Sequence, residues 1–467
     1  MSRLPQKAFM VGLGEVLGRG FAFLSTIYIA RILGAEYYGY IVFAISVLGY
    51  ALWFGDLGIQ NLGVREIAKP VKHQRFLARE LFITKVVLGV IVMLITLAGT
   101  YLFTPPGLKQ QLILGYLCSL LPFALLLEWF FNGKQAFGKI VLSKVMMGAC
   151  YLVLLLLFIQ SKEQVELVPY LYTASACLAA ITLGVFAFGE SEFKLPSQGF
   201  RVYSDLMRAN IKLGLGLFFT QMPILLPPLL VGTFVSITDN GLYGAAAKIV
   251  LIATALDKVL FRLLLPNVAS RWANNQEHTR SILPELVTLG SCFGALTALV
   301  LALFAKQGMV LLFGMEFEPG YTILQALSIF VFCTFTHSML SHTLIATAKD
   351  NAYVKTTFTG GMIGTIILVL SAFLGDAVII ALAVGIVELV FIGSSLYWFS
   401  KEITSVSLYR IMMPLALAIA LFFICQTLPF PLWATSLVAV PVLLLSFFMT
   451  GILSGRQVEL VKRALKT

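Results

Sequence analysis

Residues 8–62 read AFMVGLGEVLGRGFAFLSTIYIARILGAEYYGYIVFAISVLGYALWFGDLGIQNL. Two long apolar runs flank one polar turn at Glu36-Tyr37-Tyr38-Gly39. A run of roughly 20 apolar residues spans the ~30 Å hydrocarbon layer of a bilayer as a helix. The stretch therefore predicts two membrane helices, near 8–33 and 38–62. Working outward, runs of the same kind recur near 81–103, 111–132, 139–159, 167–188, 211–234, 241–265, 285–305, 321–347, 353–375, 377–399, 410–428 and 431–452. The expectation is an all-α integral membrane protein with about fourteen spans. Composition agrees: with 59% hydrophobic and 12% charged residues, the chain carries half the charge usual in a soluble domain. The opening residues lack a short apolar core followed by a small-residue cleavage site, so the first run reads as a retained span.

The loops orient the spans. With the N-terminus in the cytoplasm, 25 of the 33 Lys and Arg residues fall on inner segments and four on outer ones. That bias follows the positive-inside rule and places both termini in the cytoplasm of a bacterial inner membrane. It also explains the net charge of +11 without nucleic acid, as topology and contact with anionic lipid. Four basic residues, Arg19, Lys248, Lys258 and Arg262, lie inside spans. Two inner loops, 64–80 and 193–212, mix basic and apolar residues at helical spacing and read as interfacial helices. Trp53, Trp129, Trp398 and Trp433 fall toward span ends, where interfacial anchors belong. The six cysteines lack CxxC spacing and read as small apolar residues, with no metal site and no disulfide framework. No cofactor is expected.

Six spans precede the second inner loop, which suggests a parallel repeat. Spans 1 and 2 meet around Tyr38-Gly39, and spans 7 and 8 around Tyr243-Gly244. The expected organisation is an N-lobe (1–195), a C-lobe (196–400) and a C-terminal helix pair with a basic tail (401–467). The first helix of each half is irregular in composition. Span 1 carries Gly12, Gly14, Gly18 and Gly20, and span 7 carries Gly214, Gly216, Pro223, Pro227 and Pro228. Proline removes a backbone donor and crowds the preceding turn, so a bend is expected in span 7. Interrupted helices at matching positions point to a transport path.

GLGEVLGRGFAFLSTIYIARILGAEYYGYIVFAISVL, followed by FGDLGIQNLGVREIA, resembles flippases of the polysaccharide transport family, within the multidrug/oligosaccharidyl-lipid/polysaccharide exporter superfamily. The likeness is strong over residues 12–68 and fainter at LLLEWFFNGKQAFGKI and DNGLYGAAAKI. It implies two pseudo-symmetric six-helix lobes around a cavity that opens alternately to the two sides. It implies an undecaprenyl-diphosphate-linked oligosaccharide, such as an O-antigen unit, as cargo, with other polysaccharide assembly proteins as partners. The extra C-terminal pair makes the chain more like the lipid II flippase arrangement, which stands as an alternative.

A charge inside a span costs a few kcal/mol, so it is expected to face a cavity or a partner. Glu15 and Arg19 are four apart and share a helix face, which fits either an ion pair or a cavity cation for the diphosphate. Lys258 and Arg262 share a face with like charge beside Asp257, and Lys248 lies nearer the outer end. Snorkelling to the interface is the plainer alternative for Lys248 and Arg262. The acids Asp56, Glu128, Asp257 and Glu388 are candidates for coupling to protons or sodium, with Glu388 the best placed by depth. Asp56 in FGDLG alternatively caps a helix break. His337 and His342 read first as packed residues.

Three rivals are weighed against transport of a lipid-linked saccharide. An enzyme needs a large loop bearing clustered acids, and neither that nor GxxxxGK[ST] occurs. A cation-coupled drug antiporter of the same superfamily needs an acid-biased cavity. A purely structural protein leaves the buried charges without purpose.

Overall fold

The computed structural model describes residues 3–467 apart from 71–76, 189, 191–217, 219–220, 259–267, 269, 273, 429–431 and 454–467; side chains of 3–13, 15–16 and 432–434 also lie outside the description. All regular structure among the described residues is helical. The chain forms two compact units, Met1–Phe218 and Phe219–Thr467.

In the first unit, α1 (Arg3–Asp56) runs through both of the first two expected spans. It breaks at Gly34, whose φ of 77° lies where a side chain is strained and glycine is free. The glycines of the first limb do not interrupt it, contrary to the expectation for span 1. Gly14 and Gly18 instead seat it on α7 (Phe137–Phe158), against Val141 and Lys144, and Gly148 of α7 returns the contact to Phe21. Small residues let membrane helices approach closely, and packing is what these glycines serve.

Asp56 ends α1, and α2 (Ile59–Ile67) follows at once. Ile59, Leu62, Glu66 and Ile67 of α2 are buried, and Ile67 meets Gly133. Within the first inner loop, Glu66 and Ile67 are thus packed against the protein while Arg65, Ala68 and Lys69 are exposed. The second such loop, 193–212, lies outside the described residues. Next, α3 (Ala78–Phe103) stops at the Thr104-Pro105-Pro106-Gly107 turn. The fourth span is broken into α4 (Leu108–Leu117), α5 (Leu120–Leu125) and α6 (Glu128–Gly133). Pro122 crowds the carbonyl four residues earlier, at Cys118, which is where α4 gives way. Trp129 of α6 is fully buried in the core with Phe130, Phe131 and Leu183 of α8 (Val168–Ala187), so it is no interfacial anchor.

The second unit begins with α9 (Gln221–Val235), which holds buried Pro223, Pro227 and Pro228. One turn beyond the last proline it widens into a π-turn at Val231–Val235, and Ser236 is extended. Ser236 then caps α10 (Ile237–Ala253) by accepting the Asp239 N–H at 2.9 Å. The remaining helices are α11 (Gln276–Leu303), α12 (Ala305–Phe313), α13 (Tyr321–Ala346), α14 (Asp350–Ala372), α15 (Ala377–Glu402), α16 (Leu408–Thr427) and α17 (Leu432–Met449). The connection between α14 and α15 is short because two residues do two jobs. Gly375 takes a left-handed φ of 68°, and the Asp376 carboxylate accepts the Val378 and Ile379 N–H groups at 2.6 and 3.2 Å.

Helix α13 is the spine of this unit, packed by α11 and α15. Gly290 and Gly294 of α11 press on Met339, Phe335 and Phe332; a Cβ at Gly294 stands only 2.9 Å from the Phe332 carbonyl oxygen. Gly360 and Gly364 of α14 do the same for Phe391 and Val387 of α15.

Ten helical segments among the described residues are long and apolar enough to cross a membrane. The figure is below fourteen for physical reasons. The kinked α1 is one continuous segment, and α9, α10 and α17 are short or interrupted.

Candidate functional site

Within the first unit a cavity of about 260 Å³ lies between α1, α3, α5 and α6. Its wall includes Asp56, Gln60, Lys85, Phe123 and Glu128. Gly55 and Gly89 narrow one side: a Cβ on Gly55 stands 3.6 Å from the Gly89 Cα, and one on Gly89 stands 2.9 Å from the Ala124 Cβ.

Asp56 divides its two oxygens. One accepts the N–H groups of Gly58 and Gln60 at 3.2 and 3.4 Å, capping α2 across Leu57 and Gly58, both of positive φ. The other lies 3.7 Å from the Lys85 ammonium and has no hydrogen bond. The cap expected of FGDLG is present, and the same side chain also reaches the cavity. Lys85, on α3, is buried to 7% exposure, deep for a lysine. Across the cavity, Glu128 pairs with Lys144 of α7 at 3.1 Å. The Lys144 Cβ lies 3.6 Å from a Cβ built on Gly18, next to exposed Arg19. Asp56, Lys85 and Glu128 thus line one cavity, and Lys144 reaches Glu128 from α7. Cations held loosely by carboxylates in a wet recess can change partners when a stronger anion arrives.

The second unit carries a different cluster. His337 of α13 meets Glu388 of α15, Nδ1 to Oε2, at 3.1 Å, and its ring stacks on Phe391 at 5.0 Å. Asp257, just beyond α10, is 5% exposed and lies against Ser338 with His337 and Glu388 in electrostatic reach. His342 Nδ1 meets the Ser338 carbonyl at 2.9 Å. Lys258 is exposed and Lys248 half-buried. Arg262 lies outside the described residues, as does the side chain of Glu15, so the supposed pairs Glu15–Arg19 and Lys258–Arg262 are not described.

Sequence reasoning placed Asp56 and Glu128 separately and the structure brings them to one cavity. It passed over Lys85 and Lys144, which were counted with the inner-loop charges. The signal was available: Lys85 sits in ELFITKVVL, inside the third apolar run. It also left the tyrosines unselected. Tyr116, Tyr151 and Tyr172 pack on one another, with Tyr116–Tyr172 at 5.7 Å and Tyr151–Tyr172 at 5.3 Å, and Phe123 links them to the cavity wall through Tyr172 at 5.9 Å.

The family described as polysaccharide biosynthesis protein matches residues 4–270, more than half of the chain and all of the cavity. The protein belongs to that family. No curated protein matches it in sequence. Among solved structures it is similar to the lipid II flippase MurJ in an inward closed conformation, with a TM-score of 0.74 and 10% identity over 95% of this chain and 100% of that one. It is also similar to an inward-facing multidrug resistance MATE family transporter of the MOP superfamily, with a TM-score of 0.64 and 15% identity over 86% of this chain and 94% of that one. A MOP superfamily transporter from Pyrococcus furiosus follows, with a TM-score of 0.58 and 14% identity over 84% of this chain and 94% of that one. At these identities the likeness is one of fold. The fold is the one that these membrane transporters share, and the resemblance read from residues 12–68 is borne out.

Proposed function

We propose that this family member is a flippase of the bacterial inner membrane, carrying an undecaprenyl-diphosphate-linked oligosaccharide from the cytoplasmic to the outer leaflet. The observation that carries the reading is the charged recess of the first unit. A diphosphate is a dense anion, and the proposed path takes it to Lys85 on the cavity wall, past Lys144, which pairs with the lining acid Glu128, and Arg19 next to Gly18. Guanidinium and ammonium groups recognise phosphate oxygens by charge and hydrogen bonding. The head group enters this path and exchanges carboxylate partners for phosphate ones, while the prenyl tail stays in lipid. The two lobes then rock to open the site outward, driven by an ion gradient or the membrane potential. Lys248, Lys258 and Arg262 are the candidate contacts of the other lobe. The protein performs no bond chemistry on the cargo.

Lipid II is the second reading, supported by the fold shared with MurJ. A drug antiporter is less favoured, since Lys85 lies buried on the cavity wall and the lining acid Glu128 is paired with Lys144.

The test is transport of a fluorescent undecaprenyl-diphosphate oligosaccharide across vesicles holding the purified full chain. Lys85→Met and Lys144→Met are expected to abolish it while the protein is still expressed and folded; wild-type rates in both would end the proposal. Competition by lipid II separates the two cargoes.

A further inference from the structure

The cluster in the second unit has features that packing does not explain. Three residues on three separate segments, Asp257, His337 and Glu388, converge inside a helix bundle. Asp257 is 5% exposed and Glu388 7%. Two atoms, Oδ1 of Asp257 and Nε2 of His337, are buried with no hydrogen-bond partner. Buried polar atoms are almost always satisfied, and each exception asks for a reason. An unpaired carboxylate oxygen and an unpaired ring nitrogen in one cluster are both atoms that can take up a proton.

The charge balance points the same way. With both carboxylates ionised and the imidazole neutral, the cluster holds two negative charges away from water. One proton on His337 leaves one, and a second proton on a carboxyl group leaves none. Among the described residues the surrounding elements offer little other compensation. Lys258 beside Asp257 is exposed, His342 Nδ1 meets a backbone carbonyl, and Cys333 is a buried free cysteine. Helix α14 meets the turn of Glu388 with Gly360 and Gly364, and α11 meets α13 with Gly290, Ser291 and Gly294. A metal ion suits the site poorly. Sodium takes oxygen ligands, whereas one Glu388 oxygen is already held by a ring nitrogen, and the described residues contain no metal-binding group of three.

We infer that Asp257, His337 and Glu388 form a proton-binding site whose loading and release drive the conformational cycle. This rests on the alternating-access reading given above. Protons bind while the cluster faces water, stay through the occluded state because they neutralise it, and leave when it reopens on the other side. Nothing is oxidised and no bond but O–H or N–H forms or breaks.

The test uses the full chain in liposomes on a solid-supported membrane, with no saccharide present. A jump in pH is expected to displace charge in the wild type, and a jump in sodium chloride at constant pH is expected to give none. D257N and E388Q should lose the pH signal, and H337N should shift its midpoint. Absence of the wild-type pH signal, its persistence in both carboxamide variants, or a sodium signal in its place would overturn the inference. If a variant fails to fold, the other variants and the two wild-type jumps still decide. The same vesicles are then loaded with the fluorescent glycolipid. A pH signal of the expected kind without glycolipid movement refutes the cargo and leaves the proton site standing. Glycolipid movement without a pH signal does the reverse.

Discussion

The pair formed by Lys85 and Asp56 permits a test that separates holding the protein together from moving its cargo. At 3.7 Å and an effective dielectric of about 20, the gross Coulomb attraction is about 4 kcal/mol. The net coupling is smaller. Asp56 keeps 25% side-chain exposure, and its other oxygen is occupied by the Gly58 and Gln60 N–H groups, so a coupling of about 1–2 kcal/mol is expected. Lys85→Met leaves an acid facing an empty recess and should cost about 2 kcal/mol. Asp56→Asn keeps the oxygen that caps α2 but strands the lysine, at a similar cost. The double variant should then be more stable than the sum of the single losses by the coupling. Thermal unfolding in detergent, followed by loss of the monodisperse gel-filtration peak, gives the three shifts. Vesicle transport gives the second readout: the double variant regains stability but stays inactive, because the phosphate has lost its lysine. Strictly additive stability losses would show that the two side chains do not interact. Wild-type transport in the double variant would show that Lys85 does not touch the cargo.

Other consequences follow from the same contacts. Gly63→Ala would place a Cβ 2.5 Å from the Trp129 ring in a fully buried site, and should cost about 1–3 kcal/mol in the same melting assay; Trp129→Phe should relieve part of it. Gly34→Ala forces a side chain into φ 77° and should cost about 1–2 kcal/mol, read as a lower melting temperature. Lys134, and then Lys139, hold the Glu190 carboxyl below its ordinary value of 4.5 against a weaker opposing effect of burial. A depressed carboxyl pKa gives stability that is present above the unfolded value and lost as pH falls through the folded one. Melting temperature should therefore fall as pH drops below about 4.5, and Glu190→Gln should flatten that fall; an unchanged slope would remove the clasp from the account.

Hydrophobic runs, loop charges and turn residues are local properties, and lipid makes them decisive. A chain that must satisfy its backbone within the bilayer has helices as its answer, so the all-α membrane architecture was readable from residues 8–62 and their successors. The cap at Asp56, the break at Gly34 just before the Glu36-Tyr37-Tyr38-Gly39 stretch, and the π-turn that follows Pro223, Pro227 and Pro228 had local signals of the same sort. Residue roles were another matter. Gly14 and Gly18 could serve a bend or a seam, and only the neighbouring α7 settles on the seam. Trp129 near a span end looked like an anchor until the broken fourth helix carried it into the core. Lys85 passed for a loop charge until α3 began two turns before it. His337, Glu388 and Asp257 are scattered over more than a hundred residues, and their meeting depends on how α13 and α15 cross. Proximity between distant segments is set by side-chain packing across helices, which no single stretch of sequence encodes.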